Sequence, residues 1–87
     1  MKYKVVLTSR AEKQLRKLDT YTRKIILSWI KKNLVGTDNP RLHGKSLTAN
    51  HSGEWRYRVG DYRILANICD GEIVIEIFTV GHRRDVY

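Results

Sequence analysis

The chain has 87 residues, 17 lysines and arginines against 9 aspartates and glutamates, a formal net charge of +8 and a sequence pI near 9.9. That length fits one domain, residues 1–87, which buries only about 60 % or somewhat more of its unfolded surface, and the charge directs attention to nucleic acid, an anionic surface or an acidic protein as partner. The single cysteine, Cys69, excludes an internal disulfide and suits a reducing cytosol, and no apolar run has the length of a signal peptide core or a membrane span, so a cytoplasmic protein is expected.

Tyr3, Val5 and Leu7 alternate with polar positions and predict a first strand. Ser9, followed three residues later by Glu12, predicts a capping box that opens a short helix with Ala11, Leu15 and Leu18 on its apolar stripe. Arg10, Lys13, Arg16 and Lys17 form its solvated side. Asp19 or Thr20 caps a longer helix running to about Leu34, with a wide apolar face of Ile25, Ile26, Trp29, Ile30 and Leu34, and Gly36 ends it. Residues 37–53 hold the only proline and mostly polar side chains, and read as a connecting loop containing His43 and His51.

The last third is the most informative. Trp55, Tyr57 and Val59 occupy every second position with Arg56 and Arg58 between them, the pattern of a half-buried strand with a cationic face. A two-residue turn at Gly60-Asp61 sets Val59 opposite Tyr62, Tyr57 opposite Ile64 and Arg58 opposite Arg63. Like charges across a strand pair destabilise it by roughly 0.2–1 kcal/mol, so the pattern implies an anion for these arginines to bind. A second turn at Asp70-Gly71 predicts Ile68 opposite Ile73, Ala66 opposite Ile75 and Ile64 opposite Ile77. In that register Phe78 lies opposite Arg63, and Arg58, Arg63, His82 and Arg83 gather at one end of the open face. Trp55, Tyr57 and Tyr62 fall on the buried face and read as core aromatics. The expected class is α+β: an N-terminal strand, a helical hairpin, then a three-stranded antiparallel meander, with the hairpin covering one face of the sheet.

No metal-ligand spacing, phosphate-binding glycine loop or nucleophile elbow is present, so neither metal nor cofactor is expected. The family resemblance carried by the motifs below implies cleavage of RNA without a metal, which uses the substrate 2′-hydroxyl as nucleophile. The protein must take up that proton, offset charge on the pentavalent phosphate and protonate the leaving 5′-oxygen. Arginine suits the second task, since its planar fork stays charged and donates two hydrogen bonds to phosphate. His82 suits the proton transfers, with an unperturbed pKa of about 6.5. Glu54, on the same strand face as Arg56 and Arg58, is either the base or a charge-balancing neighbour, and the base stays open.

The run Asn39-Pro40-Arg41-Leu42-His43-Gly44-Lys45-Ser46-Leu47, the segment Ser52-Gly53-Glu54-Trp55-Arg56-Tyr57-Arg58-Val59-Gly60-Asp61-Tyr62-Arg63-Ile64, and the closing Gly81-His82-Arg83-Arg84-Asp85-Val86-Tyr87 resemble the RelE/ParE toxin superfamily, the tail fitting its RelE side. The resemblance covers essentially the whole chain. It implies a RelE-like fold and the toxin of a type II toxin–antitoxin system: an endoribonuclease that cuts mRNA in the ribosomal A site, inhibits translation and is held inactive by a cognate antitoxin with an acidic amphipathic segment. By the same resemblance Arg56, Arg58, Arg63, His82, Arg83 and Tyr87 form the catalytic set, Lys45 and Arg84 join Arg56, Arg58 and Arg63 in binding RNA, and the toxin alone is a monomer. Two departures stand out. The archetype has lysines where this chain has Arg56 and Arg58, and its tail is longer; some relatives also use a loop glutamate, which residues 37–53 lack. Two other readings share these features: a ParE-like inhibitor of DNA gyrase, and a non-catalytic basic nucleic-acid-binding module.

Overall fold

The computed structural model describes residues 2–48 and 51–85. Its elements are β1 (Lys4–Leu7), α1 (Ser9–Arg16), α2 (Thr20–Asn33), β2 (Lys45–Thr48), β3 (His51–Val59), β4 (Tyr62–Cys69) and β5 (Val74–His82). They build one five-stranded sheet in the order β1-β5-β4-β3-β2. The α+β layering expected from the sequence is what forms, with the helical hairpin on one face of the sheet. β1 joins as a parallel edge strand beside β5, from Lys4 opposite Val74 to Leu7 opposite Ile77. Among the described residues, no helix is long and apolar enough to cross a membrane.

Local chemistry starts each helix. The cap of α1 is Thr8, one residue before the predicted Ser9: its hydroxyl accepts the Ala11 N–H at 3.2 Å, and Ser9 is already helical. Asp19 caps α2 by accepting the Thr22 N–H at 3.0 Å and the Thr22 hydroxyl at 2.6 Å. Past the helix, Gly36 takes φ 76° and donates its N–H to the Tyr3 carbonyl, turning the chain back towards β1. Ala11, Leu15, Ile26, Ile30 and Leu34 pack against Tyr57, Val59, Ile64, Ala66, Ile75, Ile77 and Val80 to form the core. Of the predicted apolar face of α2, Ile25 stays outside this core.

The predicted connecting loop contains β2 and the start of β3. Lys45 pairs with Arg56 and Ser46 with Trp55, and the register shifts before Thr48 meets His51. A four-residue edge strand with one apolar residue, Leu47, carries no alternation to betray it, which is why the sequence reads there as loop.

The β3–β4 hairpin has the predicted register, closed by Gly60 at φ 60°. The β4–β5 register differs. Cys69 pairs with Val74 and Ile68 with Ile75, across a four-residue connection. Neither Asp70 nor Gly71 takes the positive φ that a two-residue type I′ turn needs at both positions; Ile73 does instead, at 57°. Asp70 also has other partners. Its carboxylate accepts the Tyr3 hydroxyl at 2.6 Å and both Arg41 Nη atoms at 3.1 and 2.9 Å. A bulge then leaves Phe78 as the extra residue, so Leu65 meets Thr79, Ile64 meets Val80, Arg63 meets Gly81 and Tyr62 meets His82.

The Tyr3–Asp70–Arg41 cluster ties the chain preceding β2 to the sheet. Arg41 lies 5.8 Å from the Trp55 ring centroid, Trp55 Nε1 donates to the His43 carbonyl at 2.6 Å, and the buried Tyr57 hydroxyl donates to the Pro40 carbonyl at 2.6 Å. Burial pushes the Tyr57 phenol well above its ordinary range. The bonds from Arg41, then Tyr3, hold the Asp70 carboxyl below its usual pKa. A depressed folded-state pKa gives stability that is present above about pH 4 and lost as pH falls through the folded value. Asp70→Asn is expected to cost at most about 1 kcal/mol at pH 7, since the pair is partly exposed and screened. That gap from wild type should close by about pH 2 in urea titrations; an equal gap at both pH values would show that the charge contributes nothing.

Candidate nucleic-acid interface

Alternation along β3 sends Tyr57 into the core and Arg56 and Arg58 to the face not covered by the helices. The Gly60-Asp61 turn then sets Arg63 opposite Arg58, and the unexpected strand β2 sets Lys45 opposite Arg56. These four cations and Gly44 line a cleft of about 200 Å³. None of its lining residues is acidic. On its other side Arg63 faces Gly81, which has no side chain to crowd the arginine.

Gly44, which the sequence does not single out, fixes the wall of the cleft. It takes φ 81°, and a Cβ there would run into the Arg56 carbonyl oxygen and lie 2.9 Å from Trp55 Nε1. The backbone of residue 44 therefore rests directly on β3 and delivers Lys45 beside Arg56. No local sequence signal marks this contact, because it depends on a strand that pattern does not reveal.

The open face is polarised along the strands. Lys45, Arg56, Arg58 and Arg63 occupy one end. Towards the other end Glu54 pairs with Asn67, and Asn67 Nδ2 donates to Glu76 Oε1 at 3.4 Å. Glu54 does share a strand face with the arginines, as expected.

The shifted β4–β5 register separates His82 from this cleft. The expected gathering of His82 with Arg58 and Arg63 does not form: His82 pairs with Tyr62, its ring meeting the Tyr62 ring edge-on at 5.3 Å. His82 lines a separate groove beside the end of β5 with Arg10 and Gln14 of α1 and with Lys17, the residue that caps that helix. His82 Nδ1 accepts the Arg84 N–H at 3.2 Å, which places the proton of the neutral ring on Nε2. Arg83 does leave the sheet beside the β3–β4 turn. Its N–H donates to the Asp61 carbonyl at 2.8 Å, and its Nε lies 3.9 Å from Asp61 Oδ1. Arg84 is exposed and is not among the residues lining the arginine cleft. Tyr87 lies outside the described residues. No group of three His, Cys, Asp or Glu side chains able to hold a metal occurs among the described residues.

Residues 5–87 match the family described as the ParE toxin of the type II toxin–antitoxin system parDE. Among solved structures, a chain of the RelBE2 toxin–antitoxin complex from Mycobacterium tuberculosis superposes with a TM-score of 0.82 at 29 % identity, over 95 % of this chain and 100 % of that one. The RelB–RelE antitoxin–toxin complex from Methanococcus jannaschii gives 0.66 at 26 % identity, over 94 % of each chain. The isolated RelE toxin of E. coli gives 0.74 over 92 % of this chain and 83 % of that one; at 22 % identity it bears on the fold alone. No curated protein sequence matches the chain.

Proposed function

Since the chain belongs to the ParE toxin family of type II toxin–antitoxin systems, we propose that it is a toxin that cleaves mRNA, held inactive by a cognate antitoxin. The observation that carries this reading is the cleft itself: four cations in two directly opposed pairs, on the sheet face free of helices. An anionic backbone resolves that like-charge crowding, and an RNA phosphate fits both the guanidinium forks and the cleft's small volume.

In the proposed reaction the 2′-hydroxyl attacks the adjacent phosphorus, the bond to the 5′-oxygen breaks, and a 2′,3′-cyclic phosphate and a 5′-hydroxyl result. Arg56, Arg58 and Arg63, with Lys45, hold the phosphate and offset the charge that accumulates on its oxygens. Arg83 and Arg84 extend the positive surface along the RNA, and Tyr87 stacks on a base or positions a proton. The ribosomal A site is where the mRNA would be presented, which makes the ribosome a partner and the cytoplasm the place of action. The free toxin acts as a monomer.

Proton transfer is assigned to His82 with two conditions attached, the first being that RNA binding brings its ring from the groove beside the end of β5 within hydrogen-bond reach of the phosphate in the arginine cleft. As general acid it must carry protons on both nitrogens, and protonating Nδ1 displaces the Arg84 N–H. His82→Gln is expected to slow the single-turnover rate by about 100-fold, the low end for acid–base catalysis, with RNA affinity unchanged. An unaltered rate would move the role to Glu54.

Inhibition of DNA gyrase is the second reading, favoured by the ParE description of the matching family. Inducible expression in a bacterium, with mRNA 5′ ends mapped across translated genes, separates the two. Cuts that follow the reading frame and vanish in Arg83→Ala establish the ribonuclease. Growth arrest with intact mRNA and relaxed plasmid DNA establishes the gyrase inhibitor, and salt-sensitive RNA binding with no arrest would leave a binding module.

A further inference from the structure

Residues 37–44 run from beside Tyr3, whose N–H donates to the Thr37 carbonyl at 3.0 Å, to the first residue of β2 without forming a helix or strand. Tyr57 and Trp55 of β3 hold this strap by donating to its Pro40 and His43 carbonyls. Every residue carries a carbonyl, so these bonds set the distance between strap and strand but not which residue stands where along it. Gly44 permits the close approach to Arg56 and, without a side chain, does not hold it. β2 cannot place itself either, since its four residues pair with β3 in a register that shifts between Ser46 and Thr48.

A side chain with one matching partner does what the carbonyls cannot. Arg41 gives its two Nη atoms to the two oxygens of the Asp70 carboxylate at 3.1 and 2.9 Å, and the Tyr3 hydroxyl donates to the same carboxylate at 2.6 Å. Three separate stretches of chain, before β1, within the strap and after β4, meet there. Stability does not explain the cluster, because the Arg41 and Asp70 side chains are 26 % and 54 % exposed and such a pair adds little to the fold. The connection that carries Asp70 also holds Ile73, a β-branched residue, at φ 57°, a backbone conformation such residues avoid. Strain kept where stability gains little directs attention to function.

We propose that Arg41 is a positioning residue of the arginine cleft: its fork on Asp70, steadied by Tyr3, sets the strap lengthwise so that Lys45 stands opposite Arg56. The proposal deepens the reading of that cleft as an RNA phosphate site and rests on it. Arg56, Arg58 and Arg63 do not depend on the strap, because the Gly60-Asp61 turn and the β3–β4 pairing place them locally. The cluster therefore acts on one cation of the four, and it does so from outside the residues that line the cleft.

The test is a double-mutant cycle on the full-length protein, binding a 2′-O-methyl RNA oligonucleotide that cannot be cut, by fluorescence anisotropy across a salt series. Lys45→Ala should weaken binding about 10-fold, as for a lost hydrogen bond to a charged group, and lower the salt slope by about 0.7. Arg41→Met, which keeps an unbranched apolar stem beside Trp55 and removes the fork, should reproduce both changes, and Tyr3→Phe part of them. In the Lys45→Ala background, Arg41→Met should change affinity by less than about twofold, because the cation it positions is already gone. Losses that multiply to about 100-fold in the double variant would overturn the proposal, since Arg41 would then act on its own and not through Lys45. Wild-type affinity in Arg41→Met would overturn it as well. Amide resonances of the free protein read the geometry without RNA: Arg41→Met and Tyr3→Phe should move those of Lys45 and Arg56 and leave those of Ile64 and Ile77 in place. Unmoved Lys45 and Arg56 resonances would overturn the positioning role whatever the cleft binds. If Lys45→Ala and Arg58→Ala both bind RNA as the wild type does, the phosphate reading of the cleft fails, and the resonances still decide whether Arg41 holds Lys45 against Arg56.

Discussion

Arg58→Ala is expected to lower kcat/KM for the proposed RNA cleavage by about 100- to 1,000-fold, the loss seen when one preorganised donor to a transition-state charge is removed, while raising the stability of the fold by a few tenths of a kcal/mol. The two effects have one cause. Arg58 faces Arg63 across the β3–β4 hairpin and Lys45 faces Arg56 across β2–β3, so the cleft concentrates positive charge on neighbouring strands with no acidic residue in its lining. Like charges set opposite one another on neighbouring strands repel, and a phosphate bound between them would offset that repulsion. Removing Arg58 relieves the repulsion and removes a phosphate donor together. Arg63→Ala should lose activity to a similar degree. The salt dependence of RNA binding gives an independent check: each arginine that contacts a phosphate contributes about 0.7 to the slope of log K against log salt for a single strand. A variant that melts below wild type and cleaves normally would remove the cleft from the reaction and leave the arginine pair without a functional explanation.

How much of the fold and the cleft is legible in the sequence depends on the reach of each interaction. The Arg58–Arg63 pairing follows from two local facts, strict alternation along β3 and a glycine-containing two-residue turn, and it forms as read. The β4–β5 register departs from expectation because Asp70 is held by Tyr3 and Arg41, residues 67 and 29 positions away, and is unavailable for the turn its neighbour Gly71 suggests. That shift and the bulge at Phe78 carry His82 to the Tyr62 side. Hydrophobic alternation gives no warning of this, because a two-residue slip preserves which side chains face the core. Resemblance alone points to Lys45 as an RNA contact; the reason it reaches the arginines, an edge strand beginning at Lys45, leaves no periodic trace. The exposed Ile25 marks another boundary of sequence reading: helical spacing identifies an apolar face but not how much of it the sheet will cover.

Gly44→Ala joins the fold to the site most directly, and its effect on stability should exceed that of Asp70→Asn or Arg58→Ala. Two penalties add. The backbone holds φ 81°, which for an L-residue costs roughly 1–2 kcal/mol. The new Cβ also meets the Arg56 carbonyl oxygen, a backbone atom of a strand paired on both sides, so the obstacle cannot swing away. Overpacking of this kind adds about 1–3 kcal/mol. Together they should lower the melting temperature of a domain this size by more than about 10 °C. Two other glycines separate the contributions. Gly60 has φ 60° and open space where a Cβ would sit, so Gly60→Ala should show the conformational part alone. Gly71 has neither a positive φ nor a neighbour, and Gly71→Ala should be neutral or slightly stabilising, by up to about 1 kcal/mol. If Gly44→Ala were no worse than Gly60→Ala, the chain before β2 must yield and Lys45 is not held against Arg56. If it is worse, as the contact demands, RNA affinity measured well below the melting temperature should fall as well. The same collision that destabilises the protein should lift Lys45 away from Arg56, and the proposed phosphate site would lose one of its four cations.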